Sequence, residues 1–187
     1  SAEILIKSYT DSFFNNLTSK NINICSARAG NVIGGGDWAK NRIVPDVVKS
    51  TVAKKKILIK NPKSTRPWQH VLEPLSGYLT LAKKLDSNNF LHGDSFNFGP
   101  NKNTNFTVEM VVRQMQKQWP DIKYIIQKKN INIFKESKLL KLNCDKAFKL
   151  LKWSSTLNFK QTIEMTTQWY KQYYEDKNNV ETNNINQ

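Results

Sequence analysis

The chain has 187 residues and carries 29 lysines and arginines against 15 aspartates and glutamates, a formal net charge of +14. This length suits one domain, or one and a half, and 39% hydrophobic residues argue against disorder over most of it. Two cysteines and no Cys/His cluster exclude a disulfide framework and make a zinc site unexpected. No apolar run approaches the ~18 residues of a membrane span. We therefore expect a reduced, cytoplasmic, globular protein.

The positive charge comes mostly from lysine. Of the 29 basic residues only four are arginine, namely Arg28, Arg42, Arg66 and Arg113, and asparagine is abundant as well. A chain rich in Lys, Asn and Ile is typical of an AT-rich coding sequence, whereas a nucleic-acid binder is expected to use arginine forks. We therefore expect no nucleic-acid partner, and we interpret the scarce arginines as marks of places that need a planar fork.

The first predicted element is an amphipathic helix over residues 2–16, and a helix already in progress at the start suggests that something precedes it. Its apolar stripe consists of Ala2, Leu5, Tyr9 and Phe13. The next element is a strand over 22–28, which runs into a segment at 29–38 that holds four of the seven glycines. A strand that ends in a glycine-rich loop is where open α/β sheets place ligands.

Further helices are predicted at 42–55 and at about 73–85, with a short strand at 57–59 and an irregular strand at 66–71 between them. The residues expected to face inward are Ile43, Val44, Val47, Val48 and Val52 in the first helix and Leu75, Tyr78, Leu79 and Ala82 in the second.

Predicted strands and helices continue to alternate along the rest of the chain, and this alternation predicts an α/β protein. The predicted strands are 95–98, 123–127 and 139–142, and the predicted helices are 108–119 with Thr107 as N-cap, 145–152, and a last helix that begins with an Asn158–Gln161 capping box and ends near Asp176. The last helix is expected to bury Phe159, Ile163, Met165, Trp169 and Tyr173.

The sequence offers little for nucleophilic catalysis. His70 lies in an apolar, aromatic stretch and is interpreted as a structural histidine, and His92 is assigned no role. No glycine-rich turn opens directly into a helix, so the chain holds no dinucleotide fingerprint of its own. An anion site is a better candidate, because Arg28, Arg42 and Arg66 with the amides of 30–36 suit a diphosphate. The residues alone leave open the alternative of a tight surface loop with arginines paired to carboxylates.

Three blocks of sequence identify a family. They are Ala27–Trp38 (ARAGNVIGGGDW), Arg42–Asp46 (RIVPD) and Arg66–Tyr78 (RPWQHVLEPLSGY). Together with 96–100, the strand at 139–143 and the closing helix around Trp169, they resemble the CDP-glucose 4,6-dehydratases, a family of nucleotide-sugar enzymes among the extended short-chain dehydrogenase/reductases. The resemblance covers nearly the whole chain.

The resemblance implies the C-terminal part of an extended Rossmann fold plus a small α/β nucleotide-sugar-binding domain. Residues 1–36 would be the last elements of the NAD-binding Rossmann domain, 37–177 mainly the substrate domain with returning Rossmann elements, and 178–187 a disordered tail. The family's tyrosine–lysine motif, its NAD glycine loop and its acid/base residues would lie upstream of Ser1. This fragment is therefore expected to hold no catalytic residue, to bind no metal and to be inactive alone.

For the full-length enzyme the resemblance implies an NAD-dependent lyase. Hydride would leave C4 of CDP-glucose, water would be lost across C5–C6, and the hydride would return to C6, giving CDP-4-keto-6-deoxyglucose. Such enzymes serve deoxysugar biosynthesis for surface polysaccharides, including lipopolysaccharide O-antigen. A homo-oligomer, dimer or tetramer, is also implied, with the helix that matches the first one here in the interface.

The same resemblance assigns roles to individual residues. It implies substrate contacts, with Asn31 and Arg66 on the diphosphate and Arg42 and Lys60 on the nucleotide, and it places Ala29 near the nicotinamide of NAD. Lys135–Glu136 stands where the family usually has His-Glu, so the lysine departs from the pattern. Two alternatives stay open: another nucleotide-sugar epimerase, reductase or dehydratase of the superfamily, and a non-catalytic nucleotide- or polyanion-binding module. The block 66–70 favours the dehydratase.

Overall fold

The computed structural model describes residues 2–14, 22–87, 89–100, 106–127 and 142–185. The α-helices in these ranges are α1 (Ala2–Phe13), α2 (Ile43–Val52), α3 (Leu72–Ser87), α4 (Val108–Gln118) and α5 (Phe159–Ile185). A π-helix at Ala147–Leu151 stands where a helix was predicted over 145–152, and a 3-10 helix spans Asn89–Leu91. The strands are β1 (Ser26–Ala29), β2 (Asn31–Ile33), β3 (Ile57–Ile59), β4 (Thr65–Arg66), β5 (Trp68–His70), β6 (Ser95–Phe98), β7 (Phe106–Thr107) and β8 (Tyr124–Ile126). This alternation confirms the α/β prediction.

The described strands form four two-stranded pairs, and the chain changes from the first pair to the second at Gly30. β1 pairs in parallel with β6, while β2, directly after it in the chain, pairs in parallel with β5. The switch is made by two hydrogen bonds, from the Gly30 N–H to the Phe98 carbonyl (3.1 Å) and from the Asn31 N–H to the Pro67 carbonyl (3.1 Å). A Cβ at Gly30 would lie 2.7 Å from the Pro67 oxygen, so a glycine is required there. β3 pairs in parallel with β8, and β4 pairs with β7 in the antiparallel sense.

The larger hydrophobic core lies among α2, α4 and α5. Val47 and Val48 of α2, Met115 of α4, and Ile163 and Tyr170 of α5 are all fully buried. Val47 and Val48 lie three and four residues after buried Val44, and Ile163 and Tyr170 are seven residues apart, so each set lies on one face of its helix. This core therefore holds α2 against α4 and α4 against α5, which fixes the start of α2 beside the site described below.

A second core forms around the two phenylalanines of β6. Phe96 and Phe98 are fully buried, and the Phe98 ring meets the Trp153 ring edge-on at 5.0 Å. α3 closes over Phe98 through Gly77, where any Cβ would overlap the Phe98 ring. The division of the chain at residue 36 into Rossmann and substrate portions stays a prediction.

Two helix starts confirm the predicted caps. The Thr107 hydroxyl accepts a hydrogen bond from the Met110 N–H at 3.2 Å, which fixes the start of α4. At α5, the Asn158 N–H donates to Gln161 Oε1 and the Gln161 N–H donates to Asn158 Oδ1, both at 3.0 Å. The strand predicted at 57–59 is also present with those bounds.

The predicted inward face of α3 is wrong except for half-buried Tyr78. Leu75, Leu79 and Ala82 are exposed, and the buried positions are Glu73, Pro74, Gly77 and Leu81. The close approach at Gly77 explains the rotation, because the helix presents its smallest side chain to the Phe98 ring. Periodicity in hydrophobicity alone had favoured the leucine face.

Other predicted apolar positions are exposed as well. Val52 at the end of α2 is 43% exposed. Met165, Trp169 and Tyr173 of α5 are all close to 40% exposed, so the predicted buried face of that helix is only partly correct. The stripe on α1 also faces outward, with Leu5 67% exposed.

Several predicted boundaries also shift. α1 ends at Phe13, the predicted strand over 22–28 forms only at Ser26–Ala29, and α5 continues past Asp176 to Ile185. No proline or glycine interrupts residues 177–185, so hydrogen bonding continues along a polar helix through most of the predicted tail. The strand predicted at 139–142 lies, apart from Leu142, outside the described residues.

A buried glutamate ties the start of α3 to the segment before α5. Glu73 is 4% exposed, and its carboxylate accepts hydrogen bonds from the N–H groups of Thr156 (3.0 and 3.1 Å) and Leu157 (2.5 Å). Nearby, the Trp153 indole N–H donates to the Ser76 hydroxyl at 2.9 Å. The N–H groups of Thr156 and Leu157, which lie outside any strand, are thereby satisfied by a side chain of α3.

We expect Glu73→Gln to lower the free energy of unfolding by about 1–3 kcal/mol, because the amide has one acceptor oxygen where the carboxylate has two, and no charge to strengthen the bonds. Urea unfolding measures the change. The matched control is Glu175→Gln on α5, an exposed glutamate 3.8 Å from Lys171, where we expect a loss of no more than about 0.5 kcal/mol. Equal losses in the two variants would contradict the role of Glu73.

Candidate functional site

An open cavity of about 870 Å³ lies beside the point where the chain changes from the first strand pair to the second. Its walls come mainly from four stretches of chain, residues 29–33, 41–46, 57–61 and 66–68. These stretches are the end of β1 with β2, the start of α2, β3 with the two residues after it, and the β4–β5 corner. The fold therefore gathers a concave surface from residues that are far apart in the sequence.

The cavity carries both charges, with cations in excess. Arg42, Lys60 and Arg66 line it together with two carboxylates, Asp37 and Asp46. The first turn of α2 also lines it, and no side chain caps that helix N-terminus. A helix N-terminus carries a partial positive charge and unpaired N–H groups, so it adds to the attraction for an anion.

The structure brings together most of the residues singled out from the sequence. Five of them line this one cavity: Ala29, Asn31, Arg42, Lys60 and Arg66. Ala29, Asn31 and Arg66 are half-buried, while Arg42 and Lys60 are exposed. Lys135 and Glu136 lie outside the described residues. The ligand contacts of all seven stay predictions.

Asp37 was not anticipated from the sequence, and it organises the loop between β2 and α2. Its Oδ1 accepts a hydrogen bond from the Ala39 N–H at 2.9 Å, and its Oδ2 lies 3.3 Å from Nη1 of Arg42. An acidic residue between three glycines and an arginine was the available signal. The pair holds the exposed Arg42 side chain at the cavity mouth.

Arg66 is fixed more closely by its strand. Its Nη1 donates to the Thr65 carbonyl at 2.8 Å, and β4 itself is paired to β7. The next residue but one, Trp68, is buried and donates its indole N–H to the Phe106 carbonyl at 3.1 Å. The Arg66 backbone is therefore anchored on a short, well-packed corner of the cavity wall.

Arg28 does not lie in the cavity, which corrects the expected grouping of three arginines. Its side chain is paired with Glu3 of α1, and Nη1 donates to Asn97 Oδ1 at 2.9 Å. Consecutive side chains of a strand point to opposite faces, so Arg28 faces α1 while its neighbour Ala29 faces the cavity. Here the alternative, an arginine paired to a carboxylate, is the one observed.

The glycine segment serves packing more than anion binding. Of its four glycines only Gly30 lines the cavity. A Cβ at Gly34 would lie 2.7 Å from Cγ1 of Val71, and a Cβ at Gly35 would overlap the Trp169 ring. Of the amides expected over 30–36, those of 30–33 line the cavity, whereas Gly34 and Gly35 fit against Val71 and Trp169.

The loop is held from α5 by Tyr170, which is fully buried. The Tyr170 hydroxyl donates to the Asp37 carbonyl at 2.7 Å and accepts from the Asp37 N–H at 3.0 Å. Burial raises the pKa of Tyr170 to about 12, so the hydroxyl keeps its proton over the working range. The Trp38 ring packs edge-on against Tyr170 at 5.3 Å.

Both histidines have structural partners in the fold. His70 is buried, accepts a hydrogen bond from the Leu72 N–H at 3.3 Å on Nδ1, and has its pKa lowered by burial, which fits its interpretation as a structural residue. His92 Nδ1 accepts from the Ile24 N–H at 3.1 Å. Within the described ranges no group of three or more His, Cys, Asp or Glu is placed to hold a metal ion. None of the helices described is long and apolar enough to cross a membrane.

The bare spacing tyrosine-x-x-x-lysine does occur in this chain, which corrects the expectation that it is missing. It is found at Tyr124–Lys128 and Tyr173–Lys177. Tyr124 lies in β8, and Tyr173 lies on α5 with its ring stacked on Trp169 at 5.4 Å. Neither tyrosine lines the cavity.

The fold is that of solved nucleotide-sugar enzymes. A dTDP-glucose 4,6-dehydratase from Bacillus anthracis in complex with NAD superimposes with a TM-score of 0.71 at 20% identity, covering 94% of this chain and 51% of that one. A UDP-glucuronic acid 4-epimerase from Bacillus cereus, in complex with UDP-glucuronic acid and NAD, gives a TM-score of 0.75 at 19% identity, covering 93% and 51%. No family model matches the sequence.

The sequence is similar to one curated protein in particular. The CDP-glucose 4,6-dehydratase of Salmonella typhimurium is 39% identical over 173 residues, which is 91% of this chain and 48% of that protein. The chain therefore spans about half the length of this relative. The resemblance identified from the sequence blocks is confirmed.

Tyr170 gives this loop a pH dependence of defined sign. Because its pKa in the folded protein lies near 12, above the ordinary 10, the folded protein keeps this proton longer than the unfolded chain does. Its contribution to stability is constant below about pH 10 and is lost as the pH rises from about 10 to about 12. We expect the wild type to lose more stability over this window than Tyr170→Phe, measured by urea unfolding at stepped pH.

The control is Tyr173→Phe, which keeps the Tyr170 hydroxyl and should follow the wild-type slope. Identical slopes for the wild type and Tyr170→Phe would contradict the raised pKa.

Proposed function

We propose that this chain is the substrate-binding half of a CDP-glucose 4,6-dehydratase. The observation that carries the proposal is that Asn31, Arg42, Lys60 and Arg66, from four separate stretches of the chain, line one and the same cavity. The 39% identity to a curated CDP-glucose 4,6-dehydratase supports this substrate, whereas the solved structures, at 20% identity and below, speak only to the fold.

The polar wall of the cavity suits a diphosphate. Three cations and the uncapped N-terminus of α2 face a space that holds two carboxylates. An arginine such as Arg66 offers a planar fork of donors that matches phosphate oxygens, and the Asn31 amide offers a further donor. We assign the diphosphate to the region between Asn31, Arg66 and the start of α2.

The apolar wall suits the nucleoside. Ile57, Leu58, Pro45 and Val108 line the same cavity, and its volume of about 870 Å³ is within the range of small-molecule sites. Such walls exclude water from one side of a ligand while a few polar groups fix its orientation. Lys135 and Glu136 are proposed as further substrate contacts on the resemblance alone.

NAD is the proposed cofactor of the assembled enzyme, where it would supply the hydride acceptor and donor. Ala29 fits the nicotinamide end, because its methyl side chain lines the cavity and leaves room for a flat ring. No glycine-rich turn in the described part of the chain opens a helix, since α2 begins seven residues after Gly36. Most of the dinucleotide is therefore assigned to the other half of the enzyme.

The exposed apolar face of α1 is proposed to lie in an oligomer interface. Ile4, Leu5, Tyr9 and Phe13 are all more than half exposed, and exposed apolar patches of this kind mark interaction surfaces. The cytoplasm is the proposed compartment, because neither Cys25 nor Cys144 is in a disulfide.

We expect Arg66→Ala to weaken CDP-glucose binding by roughly 1.5–3 kcal/mol, about 10- to 150-fold, the range for losing a charged hydrogen bond. Titration calorimetry on the purified chain measures the change. The control is Arg113→Ala on α4, whose guanidinium pairs with Glu109 outside the cavity and should leave affinity unchanged. Unchanged binding in Arg66→Ala would remove Arg66 from the site.

A polyanion-binding module is distinguished by competition. We expect CDP-glucose to bind with one defined stoichiometry and to be displaced by CDP, while a generic polyanion such as polyphosphate competes only at low salt. Salt-independent displacement by polyphosphate would favour the non-catalytic alternative.

The purified chain is expected to form no 4-keto product from CDP-glucose and NAD, because the acid/base and tyrosine–lysine groups are assigned to the other half. Product analysis after long incubation provides the measurement. Any 4-keto-6-deoxy product would place catalytic groups within these 187 residues.

A further inference from the structure

We infer that Tyr170 is a positioning residue for the phosphate end of the cavity, acting through Asp37 on Arg42. The inference rests on the proposed function, since it concerns how the same cavity binds a phosphate-bearing ligand. No residue of α5 lines the cavity among those the structure describes, so the effect of Tyr170 on a ligand is indirect.

The loop between β2 and α2 depends on contacts from outside. Residues 34–42 form no helix or strand, and their glycines press against Val71 and Trp169. At Asp37, one hydroxyl satisfies both main-chain groups, taking the N–H at 3.0 Å and donating to the carbonyl at 2.7 Å. A hydroxyl has one donor and two acceptor sites, so Tyr170 is matched to this double contact.

Because Tyr170 holds the N–H and the carbonyl of Asp37, it also fixes the backbone position from which the Asp37 carboxylate extends. That carboxylate uses Oδ1 on the Ala39 N–H and points Oδ2 toward Nη1 of Arg42. The Arg42 side chain is 66% exposed, and a long exposed side chain would otherwise sample many rotamers. Asp37 therefore reduces the conformational freedom that an incoming phosphate would have to remove.

The core supplies the rigid side of this arrangement. Tyr170 is fully buried on α5, and the same helix packs Ile163 into the larger core. The Trp38 ring meets Tyr170 at 5.3 Å and Tyr174 at 5.9 Å, so the residue after Asp37 is held as well. The hydroxyl is thus presented from a fixed position to a segment that has no regular structure.

A double-mutant cycle tests the path from Tyr170 to Arg42. CDP-glucose affinity is measured by titration calorimetry for the wild type, Tyr170→Phe, Arg42→Gln and the double variant. We expect Tyr170→Phe to weaken binding about tenfold, a loss in the range of one hydrogen bond. In the Arg42→Gln background the same substitution should cost nothing further, because the group it positions is gone.

The matched control is Tyr173→Phe, three residues further along α5, which keeps its ring contacts with Trp169 and Trp38 and should bind as the wild type does. Independent, additive losses in the double variant would overturn the inference. A merely structural role for Tyr170 would lower the free energy of unfolding and the affinity together in both backgrounds.

Hydrogen exchange without ligand separates this inference from the proposed function. Tyr170→Phe should speed exchange of the amides at 35–39 while leaving those of α3 unchanged. Unchanged exchange at 35–39 would overturn the inference whatever the ligand. A wild-type chain that binds no CDP-glucose would contradict the proposed function, and the exchange result would still decide whether Tyr170 holds the loop.

Discussion

The change of strand partner at Gly30 is the constraint from which the rest of the site follows. β1 and β2 form one nearly continuous run of chain, yet the first half pairs with β6 and the second with β5. Two parallel partners diverge from that point, and the cavity opens beside it. A side chain at residue 30 would meet the Pro67 oxygen and push β5 away, so the site depends on the absence of one Cβ.

The sequence predicted the type of most elements better than their environment, although β2 was predicted as part of a glycine-rich loop and β7 was not predicted. Caps such as Thr107 and the Asn158–Gln161 box are local, because donor and acceptor lie within three residues, and both are observed. Burial depends on partners far along the chain. The leucine face of α3 shows the difference: a close contact between Gly77 and Phe98 outweighed the hydrophobic pattern.

The residues of the candidate site likewise fall into those that the sequence predicted and those that depend on distant partners. Blocks of sequence that resemble a family pointed to Arg42, Lys60 and Arg66, and the fold gathers them around one cavity. Asp37 and Tyr170 were not found, since each acts through a hydrogen bond across 133 residues of chain. Arg28 was grouped with the wrong arginines because strand alternation places it opposite its neighbour Ala29.

The distance between Asp37 and Tyr170 along the chain has a consequence for biosynthesis. The glycine segment leaves the ribosome long before α5 does, and no earlier element supplies the hydroxyl that satisfies Asp37. Synthesis adds on the order of 5–20 residues per second. During this time the loop around Asp37 lacks its Tyr170 contact until α5 has emerged and packed against α4. A ligand that contacts Arg42 is therefore expected to reach its full affinity only after Tyr170 has been synthesised and has packed against the loop.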